Sequence, residues 1–242
     1  MRKALVVLPS FNERENVVSL TEALLALDPA LCVCVVDDQS PDGTSQLVAD
    51  AIADRGWQER AHLITRAKKD GRGGAVRDGF AWGVQSGNGF TAYVEMDCDF
   101  SHDPKAVLTG LHLLGQGSEV AIGARYPDGT IAGWPLSRRV FSFFANHLAR
   151  ALIDRTIPDY TGGFRFYSPR AVEVMLASPQ RNKGYIYLSE QLSLLLNANM
   201  RVATFPIHFK NRERGVSNTS PREVAAALYG IFSIAWRHRI SR

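Results

Sequence analysis

The chain has 242 residues, of which 45% are hydrophobic and 21% are charged, and it carries a net charge of +4. These proportions are typical of a globular protein, and the length suits one large α/β domain or a domain with an added lobe. No basic stripe alternates with aromatic residues on one element, so a nucleic-acid partner is not expected. The basic residues fall in turn-rich segments, which favours a phosphate-bearing partner or an anionic membrane surface.

The first half of the chain alternates apolar runs with helical patterns. The predicted strands are Ala4–Leu8, Leu31–Val36, His62–Thr65, Thr91–Met96 and Glu119–Gly123. The predicted helices are Asn16–Leu27, Thr44–Asp54, Gly74–Gln85 and Pro104–Leu114, the last with Asp103 as its N-cap. This rhythm indicates βαβ units and a mostly parallel sheet flanked by helices.

The alternation breaks after Gly123. A turn-rich loop, Arg125 to Gly133, is followed by predicted helices and a glycine-rich segment: Leu136–Ile153, Tyr160–Phe164, a short helix from Pro169 and a helix around Ser189–Asn197. A strand at Arg201–Phe209 is expected to rejoin the sheet. Ser220 to Glu223 forms a capping box, which opens a last helix that runs to about Trp236. With no repeat or linker, residues 1–242 are expected to form a single domain.

Cysteine usage and the N-terminus indicate the compartment. Cys32, Cys34 and Cys98 are odd in number and lack zinc-ligand spacing, so we expect reduced, buried thiols in a cytoplasmic protein. The N-terminus leads directly into a strand, so no signal peptide is expected. No apolar run reaches the ~20 residues that a transmembrane helix needs.

Two acidic pairs follow apolar runs. Asp97-Cys98-Asp99 comes after the strand at Thr91–Met96, and Asp37-Asp38 closes the strand that begins at Leu31. The carboxyl ends of parallel strands are where α/β folds bind ligands. Two neighbouring carboxylates repel each other unless a cation lies between them, and oxygen ligands suit Mg²⁺ or Mn²⁺. A metal at this position most often serves a diphosphate.

The loops after the first two strands are candidates for nucleotide binding. Phe11 is placed to stack on a base, and Glu13 to accept hydrogen bonds from a base or ribose; the alternative is an ordinary turn with Asn12 as helix cap. An acidic residue such as Asp38 can hold a base edge or ribose hydroxyls. Asp42, in Pro41-Asp42-Gly43, is instead expected to shape the turn.

Glycines and arginines mark further candidate positions. Gly71-Arg72-Gly73-Gly74 lacks the features of a P-loop or a dinucleotide fingerprint, and we interpret it as a loop that lets a helix pack close to the nucleotide. Arg138 begins a helix, which is unfavourable for the helix dipole unless an anion lies nearby. Arg125 follows a strand, and Arg212 and Arg214 lie in a Gly/Ser/Asn loop. Because guanidinium groups recognise phosphate, these arginines together indicate that two phosphate groups are bound.

Five motifs carry a resemblance that covers about residues 3 to 235. The segment from Val35 to Thr44 and the segment from Glu95 to Pro104 resemble motifs of the family 2 glycosyltransferases, which have the GT-A (Rossmann-like) fold. Three more resemble the polyprenol (dolichol) monophosphate mannose synthases: Gly123 to Tyr126, Gly133 to Arg139, and Arg212 to Ser217. The chain differs from the usual motifs at Gln39, Asp103, Asn218 and the Thr161 to Phe166 segment.

The resemblance implies an inverting, metal-dependent transfer of mannose from GDP-mannose to polyprenyl phosphate, with Mg²⁺ or Mn²⁺ as cofactor. Residues 1–124 would bind the nucleotide sugar, and residues 125–242 would form a helical portion that completes the acceptor site. The protein would lie peripherally on the cytoplasmic face of a membrane, and a separate membrane-anchoring partner is compatible with this arrangement. The final helix is expected either to contact the membrane through an amphipathic face or to pack in the core.

The resemblance also implies roles for individual residues. The nucleotide-sugar ligands would be Pro9, Phe11, Glu13, Val36, Asp38, Asp97, Cys98 and Asp99. The metal ligands would be Asp97, Asp99 and Ser101. The acceptor phosphate would be held by Arg125, Arg138, Ser142 and Arg212. The catalytic set would be Asp97, Asp99, Arg125, Arg138 and Arg212.

Other functions stay open on the sequence alone. A transferase that uses a UDP sugar, with polyprenyl phosphate or a soluble small molecule as acceptor, fits the same motifs. A nucleotidyltransferase would carry a glycine- and arginine-rich loop where this chain has Pro9 to Glu13. A non-catalytic nucleotide-sugar-binding or scaffold subunit also stays open, although the intact Asp97, Asp99, Arg125 and Arg212 argue against it.

Overall fold

The computed structural model describes residues 3–182, 184–211 and 221–240, apart from the side chains of Tyr185 and of residues 221–229. The strands are β1 (Ala4–Ser10), β2 (Leu31–Asp37), β3 (Ala61–Thr65), β4 (Ala92–Glu95), β5 (Val120–Ala124), β6 (Thr130–Ala132), β7 (Arg165–Tyr167), β8 (Val202–Pro206) and β9 (His208–Lys210). The α-helices are α1 (Val17–Leu27), α2 (Thr44–Asp54), α3 (Arg72–Gln85), α4 (Ala106–Gly115), α5 (Leu136–Leu152), α6 (Pro169–Ala177), α7 (Tyr187–Asn197) and α8 (Pro221–Ile240).

Seven strands form one sheet in the order β3-β2-β1-β4-β7-β5-β8. All neighbouring pairs are parallel except the two that β7 makes with β4 and β5, which confirms the mostly parallel sheet. The chain adds β2 and β3 on one side of β1 and then places β4 on the other side. A ligand crevice is expected outside the carboxyl ends of the strands at such a reversal, here between β1 and β4.

The sheet separates two hydrophobic clusters. Alternate residues of β1 enter different clusters, so Leu5 and Val7 pack on one face while Val6 and Leu8 pack on the other. Helix α3 lies close to β1 because Gly79 has no side chain: a Cβ there would lie 2.6 Å from Val7 Cγ1. This close approach fixes the start of α3 at the carboxyl edge of the sheet.

The segment expected to be one strand, Arg201–Phe209, is divided in the structure. Its first part, β8, pairs with β5 in the main sheet, whereas β9 pairs with β6 in a separate two-stranded sheet. The interruption falls after Pro206, which cannot donate a backbone hydrogen bond, and the chain continues with Ile207 N bonded to Ala124 O. Strand β6 lies within the segment that was expected to be a loop.

Two further expectations differ in detail from the structure. Helix α4 begins at Ala106, because Asp103 and Pro104 form a turn in which Asp103 Oδ1 accepts from Lys105 N. The short β7 was not expected, since it follows a glycine-rich segment and has only three residues.

The last helix, α8, continues to Ile240, and the capping box predicted to begin at Ser220 lies outside the residues whose side chains are described. Within the described ranges, no helix has the length and apolarity needed to cross a membrane.

Candidate active site

Asp97 and Asp99 lie on a tight turn directly after β4. The Asp97 side chain is 22% exposed, and Asp99 is buried. Phe100 has a left-handed backbone, with φ of 58°, and Asp99 Oδ1 accepts a hydrogen bond of 3.0 Å from Ser101 N. The turn therefore holds the two acidic residues at the carboxyl edge of the sheet, where the strand order reverses.

This turn offers oxygen ligands that suit a divalent cation. Ser101 Oγ is buried and has no hydrogen-bond partner among the described residues, so its lone pairs are available beside the carboxylates. The described part of the chain has no group of three or more His, Cys, Asp or Glu side chains placed to hold a metal. Mg²⁺ is commonly bound by one or two carboxylates together with substrate phosphates and water. Asp97, Asp99 and Ser101 fit a metal of this kind, which a diphosphate would complete.

Arg72 is a site residue that sequence reasoning did not identify. It is the first residue of α3, and its Nη1 lies 2.6 Å from Asp97 Oδ1. Its Nη2 donates to Gly163 O at 2.9 Å and lies 4.0 Å from Glu95 Oε1. The dipole argument that singled out Arg138 applies equally here, since a cation at a helix N-terminus needs an anion nearby.

A buried carboxyl group lies at the end of β4, close to this arginine. Glu95 is fully buried and accepts a hydrogen bond of 2.9 Å from Tyr187 Oη. Burial raises the pKa of Glu95, while the nearby charges of Arg72 and Arg165 act in the opposite direction. Arg165 is itself buried and donates to three backbone carbonyls, so it fixes the segment that leads into β7.

The Asp38 carboxylate holds the loop that precedes α3. Its Oδ1 lies 2.6 Å from Arg66 Nη1, and its two oxygens accept from the backbone N–H groups of Asp70 and Gly71. The same side chain was expected to bind the nucleotide, and that role stays a prediction. Lys69 Nζ lies 3.2 Å from the centre of the Phe11 ring, the surface expected to stack on a base.

The other residues that were predicted to bind the nucleotide sugar fall into two groups. Glu13 is half-buried and accepts from Asn16 Nδ2, and Pro9 pairs in register with Val36 near the carboxyl ends of β1 and β2. The side chains of Val36 and Cys98 are buried in the hydrophobic clusters, so their expected contact with a ligand would have to be made by backbone groups. Burial raises the pKa of the Cys98 thiol, which is consistent with an unreactive side chain.

The loops after β1 and β2 are tied together by a second acidic residue. Asp37 is fully buried and accepts hydrogen bonds from the hydroxyl groups of Ser10, Ser40 and Ser45. Asp42 accepts from the backbone and hydroxyl groups of Thr44, which confirms its expected role in the turn. The alternative role for Asn12 is wrong, because helix α1 begins at Val17 with Asn16 at the N-cap position.

Arg125 is buried in a bidentate ion pair at the end of β5. Its Nε and Nη2 each lie 2.8 Å from an oxygen of Asp159, and Nη2 also donates to Thr161 Oγ1. Burial alone would raise the pKa of Asp159, but the charge and hydrogen bonds of Arg125 lower it to about 2. Nε and Nη2 of Arg125 thus hold the segment that begins at Asp159. The expected role of Arg125 at the acceptor phosphate stays a prediction.

A row of aromatic contacts connects α5 to the acidic turn. Arg138 stacks over the Trp134 ring at 4.0 Å, Trp134 contacts Phe209 at 5.2 Å, and Phe209 contacts His102 at 5.3 Å. His102, whose role the sequence did not indicate, is buried and stacked on Phe164 at 4.9 Å. The backbone also joins β9 to the acidic turn, since Lys210 N donates to Ser101 O.

Of the other predicted acceptor ligands, the structure describes Ser142. Ser142, on α5, is buried and accepts a hydrogen bond of 3.3 Å from Tyr126 Oη. Arg138 precedes Ser142 by one helical turn, so the two residues share a face of α5. Arg212 lies outside the described residues. The structure therefore places Arg138 and Ser142 near each other and links them, through Trp134, to the turn that carries Asp97.

Comparison with known proteins identifies the family. Residues 5–176 match the model described as glycosyl transferase family 2. The chain belongs to this family. It is 36% identical over 243 residues to a polyprenol monophosphomannose synthase of Mycolicibacterium smegmatis. This alignment covers 100% of this chain and 90% of that protein. It is 30% identical over 229 residues to an undecaprenyl-phosphate mannosyltransferase of Micrococcus luteus, covering 95% and 92%.

Solved structures support the fold. Glucosyl-3-phosphoglycerate synthase from Mycobacterium tuberculosis, in a complex with Mn²⁺, UDP and glucosyl-3-phosphoglycerate, aligns with a TM-score of 0.68 and 19% identity. The alignment covers 98% of this chain and 80% of that one. At this identity the similarity concerns the fold alone, and it confirms the GT-A architecture expected from the sequence. The protein is thus a family 2 glycosyltransferase, as the motifs indicated.

Proposed function

We propose that this glycosyltransferase moves a mannosyl group, with inversion, from GDP-mannose to a polyprenyl phosphate at a membrane surface. The observation that carries the proposal is the position of α5. This helix begins beside Trp134 and Arg138, which are connected to the acidic turn, and it continues as an exposed apolar surface. A phosphate bound at its start would have its hydrocarbon chain on that surface. The mannosyl group and the polyprenyl acceptor follow the printed names of the relatives in Mycolicibacterium smegmatis and Micrococcus luteus.

The apolar surface of α5 has the spacing of one helix face. Leu136, Val140, Phe143 and Phe144 are all exposed, with Leu136 at 75% and Phe144 at 63%. Residues separated by three or four positions lie on the same side of a helix. Arg139 is exposed in the first turn of the same helix. An apolar face flanked by cations is characteristic of helices that lie in the interface of an anionic membrane.

Helix α8 packs in the core, which is one of the two roles considered for it, and it also carries exposed apolar residues. Ile231, Ile234 and Ala235 are buried in a hydrophobic cluster, while Phe232, Trp236 and Ile240 are exposed at intervals of four residues. Helices α5 and α8 contact each other. We propose that the exposed residues of both helices rest on the cytoplasmic face of a membrane, and that a separate anchoring protein can add to this contact.

On the donor side, the loops after β1 and β2 would hold the nucleotide. Phe11 would stack on the base after Lys69 moves from its ring, and Asp38 and Glu13 would accept hydrogen bonds from base or ribose. Asp97, Asp99 and Ser101 would hold Mg²⁺ or Mn²⁺. When bound, this ion would neutralise charge on the donor diphosphate and stabilise the diphosphate as it leaves.

On the acceptor side, the nucleophile is a phosphate oxygen that is already anionic at neutral pH. A general base is therefore dispensable, and the protein must instead bring two anionic groups together. The stacked Arg138 and the neighbouring Ser142 would position the acceptor phosphate, with Arg125 at the end of β5 and Arg212 completing the set. Guanidinium groups held in place before the reaction provide electrostatic stabilisation without a reorganisation cost.

A transfer assay tests the proposal. The purified protein is incubated with Mn²⁺ or Mg²⁺, a short polyprenyl phosphate and labelled GDP-mannose, and the lipid product is extracted into organic solvent. We expect label in the organic phase, and its loss when EDTA is added. Folded protein that gives no label with GDP-mannose but does so with UDP-glucose would disprove the donor assignment.

The acceptor is tested in the same assay by changing the lipid. The matched control is a short alkyl alcohol of the same chain length without the phosphate, which should receive no sugar because no anionic nucleophile is present. Equal transfer to a water-soluble phosphate in the absence of lipid or detergent would argue for a soluble acceptor and against the membrane-facing role of α5.

A further inference from the structure

The ion pair between Arg72 and Asp97 places an arginine on a proposed metal ligand. Arg72 Nη1 lies 2.6 Å from Asp97 Oδ1, and the side chains are 12% and 22% exposed. The guanidinium is also fixed by its hydrogen bond to Gly163 O. Gly163 leaves the space it needs, because a Cβ at this position would lie 2.8 Å from Arg72 Nη2.

The position of Arg72 is unfavourable for a positive charge for two reasons. As the first residue of α3, it places a positive charge at the positive end of the helix dipole. It is also largely removed from water, which disfavours a charged group unless an anion is close. Asp97 at 2.6 Å provides that charge, and the buried carboxyl group of Glu95 lies 4.0 Å away. Arg72 therefore depends on the same carboxylate that a divalent cation would need.

We propose that Arg72 is a positioning residue that occupies Asp97 in the donor-free enzyme and opposes binding of a metal alone. The metal then binds tightly only together with the nucleotide diphosphate, whose negative charge compensates both cations. In the loaded site the guanidinium is available to the departing diphosphate. This inference rests on the proposed metal site at Asp97 and Asp99, and it adds an order of binding that the proposed function does not specify.

A purely structural role for Arg72 predicts a different effect on metal affinity. If the arginine only fixed α3 to β4 and the Gly163 loop, removing it would loosen the site and weaken or leave unchanged the binding of a metal. If it competes for Asp97, removing it strengthens the binding of a metal in the absence of nucleotide. The sign of the change separates the two roles.

The experiment measures Mn²⁺ affinity by electron paramagnetic resonance of the free ion, with and without GDP. We expect Arg72→Met to bind Mn²⁺ about tenfold or more tightly than wild type when GDP is absent, because a cation next to the site is removed. With GDP present the difference should shrink. Arg72→Lys keeps the charge and should stay closer to wild type than Arg72→Met.

A second variant displaces the Arg72 guanidinium without removing its charge, and a third serves as a matched control. Gly163→Ala retains every charge but displaces the guanidinium, so it should also strengthen Mn²⁺ binding without GDP, even if Arg72→Met folds poorly. Arg170→Met removes a cation from an exposed pair with Glu119 and should leave Mn²⁺ affinity unchanged.

The outcomes distinguish this inference from the proposed metal site. Wild type that binds no Mn²⁺ even with GDP, or Asp99→Asn that binds it normally, would disprove the metal site and with it the role of Arg72. Wild type that binds Mn²⁺ with GDP, combined with unchanged or weaker Mn²⁺ binding by both Arg72→Met and Gly163→Ala without GDP, would overturn the inference alone.

Discussion

The buried pair of Arg125 and Asp159 makes a quantitative prediction about stability. Replacing Asp159 by Asn removes the negative charge with little change of shape. The pKa of Asp159 is lowered from 3.8 to about 2 by Arg125, against the effect of burial. A shift of this size corresponds to about 2–3 kcal/mol of stability at neutral pH. Breaking a buried pair and leaving one charge uncompensated costs about 3–5 kcal/mol. We expect Asp159→Asn to lose about 2–4 kcal/mol.

The same pair predicts the direction of the pH dependence. A carboxyl group whose pKa is lowered by folding contributes stability above its unfolded pKa, and this contribution is lost as pH falls through the folded pKa. For Asp159 the loss therefore extends from about pH 5 down to about pH 2. Because the amide of Asp159→Asn does not titrate, the variant should lose less stability than wild type across this range.

Urea unfolding at several pH values between neutrality and about pH 3 measures both effects. Glu22→Gln is the matched control, because Glu22 pairs with Arg55 in an exposed ion pair, and its loss should cost less than about 1 kcal/mol. Equal stability of Asp159→Asn and wild type at neutral pH, or parallel pH profiles, would refute the reasoning. Arg125 would then be free to serve the acceptor without a structural task.

Three further predictions concern activity and membrane contact. Asp99→Ala should abolish transfer with an unchanged circular dichroism spectrum; an active variant that needs no metal would contradict the metal site. Arg138→Met should raise the apparent KM for polyprenyl phosphate by about tenfold or more, with little change for the nucleotide sugar, since a charged hydrogen bond to phosphate is lost; equal effects on both substrates would argue against an acceptor role. Phe144→Ser should weaken co-sedimentation with anionic liposomes, whereas Leu108→Ser, at an exposed position on α4, should not; equal binding by both variants would exclude the α5 surface.

The elements that the sequence predicted well are those whose signals are local. Strands β1 and β2 are continuous apolar runs buried on both faces, so composition and length alone identify them. The acidic residues that end β2 and follow β4 reach one edge of the sheet because parallel strands place their carboxyl ends together. The βαβ rhythm therefore predicted the mostly parallel sheet and the edge of the sheet at which the candidate site lies.

The elements that were missed depend on contacts between distant parts of the chain. Strand β7 has only three residues, and its pairing with β4 and β5 is not encoded by a local pattern. The division between β8 and β9 arises because β9 pairs with β6, and the paired residues Thr130 and His208 are 78 positions apart. A short segment of this kind has no periodicity from which a strand or its partner can be derived.

The same distinction applies to the site residues. The motif that contains Arg125 indicated a phosphate ligand, but its partner Asp159 is separated from it by 34 residues and carries no motif. Arg72 and Asp97 are 25 residues apart, and their pairing requires that α3 starts at the carboxyl end of β4. Residue type and spacing indicated which chemistry is available, whereas the fold determines which charges are already paired.

Ion pairs at the edge of the sheet indicate which contacts must change when the donor binds. Arg66 contacts Asp38, and Arg72 contacts Asp97, so each of these arginines holds a carboxylate that we assign to the donor. A nucleotide sugar must replace or share these contacts, and its diphosphate supplies the negative charge that makes the exchange favourable. The Arg138 guanidinium lies 4.0 Å from the centre of the Trp134 ring. The donor site would then be rearranged on binding, while Arg138, which we assign to the acceptor, is already stacked on an aromatic side chain.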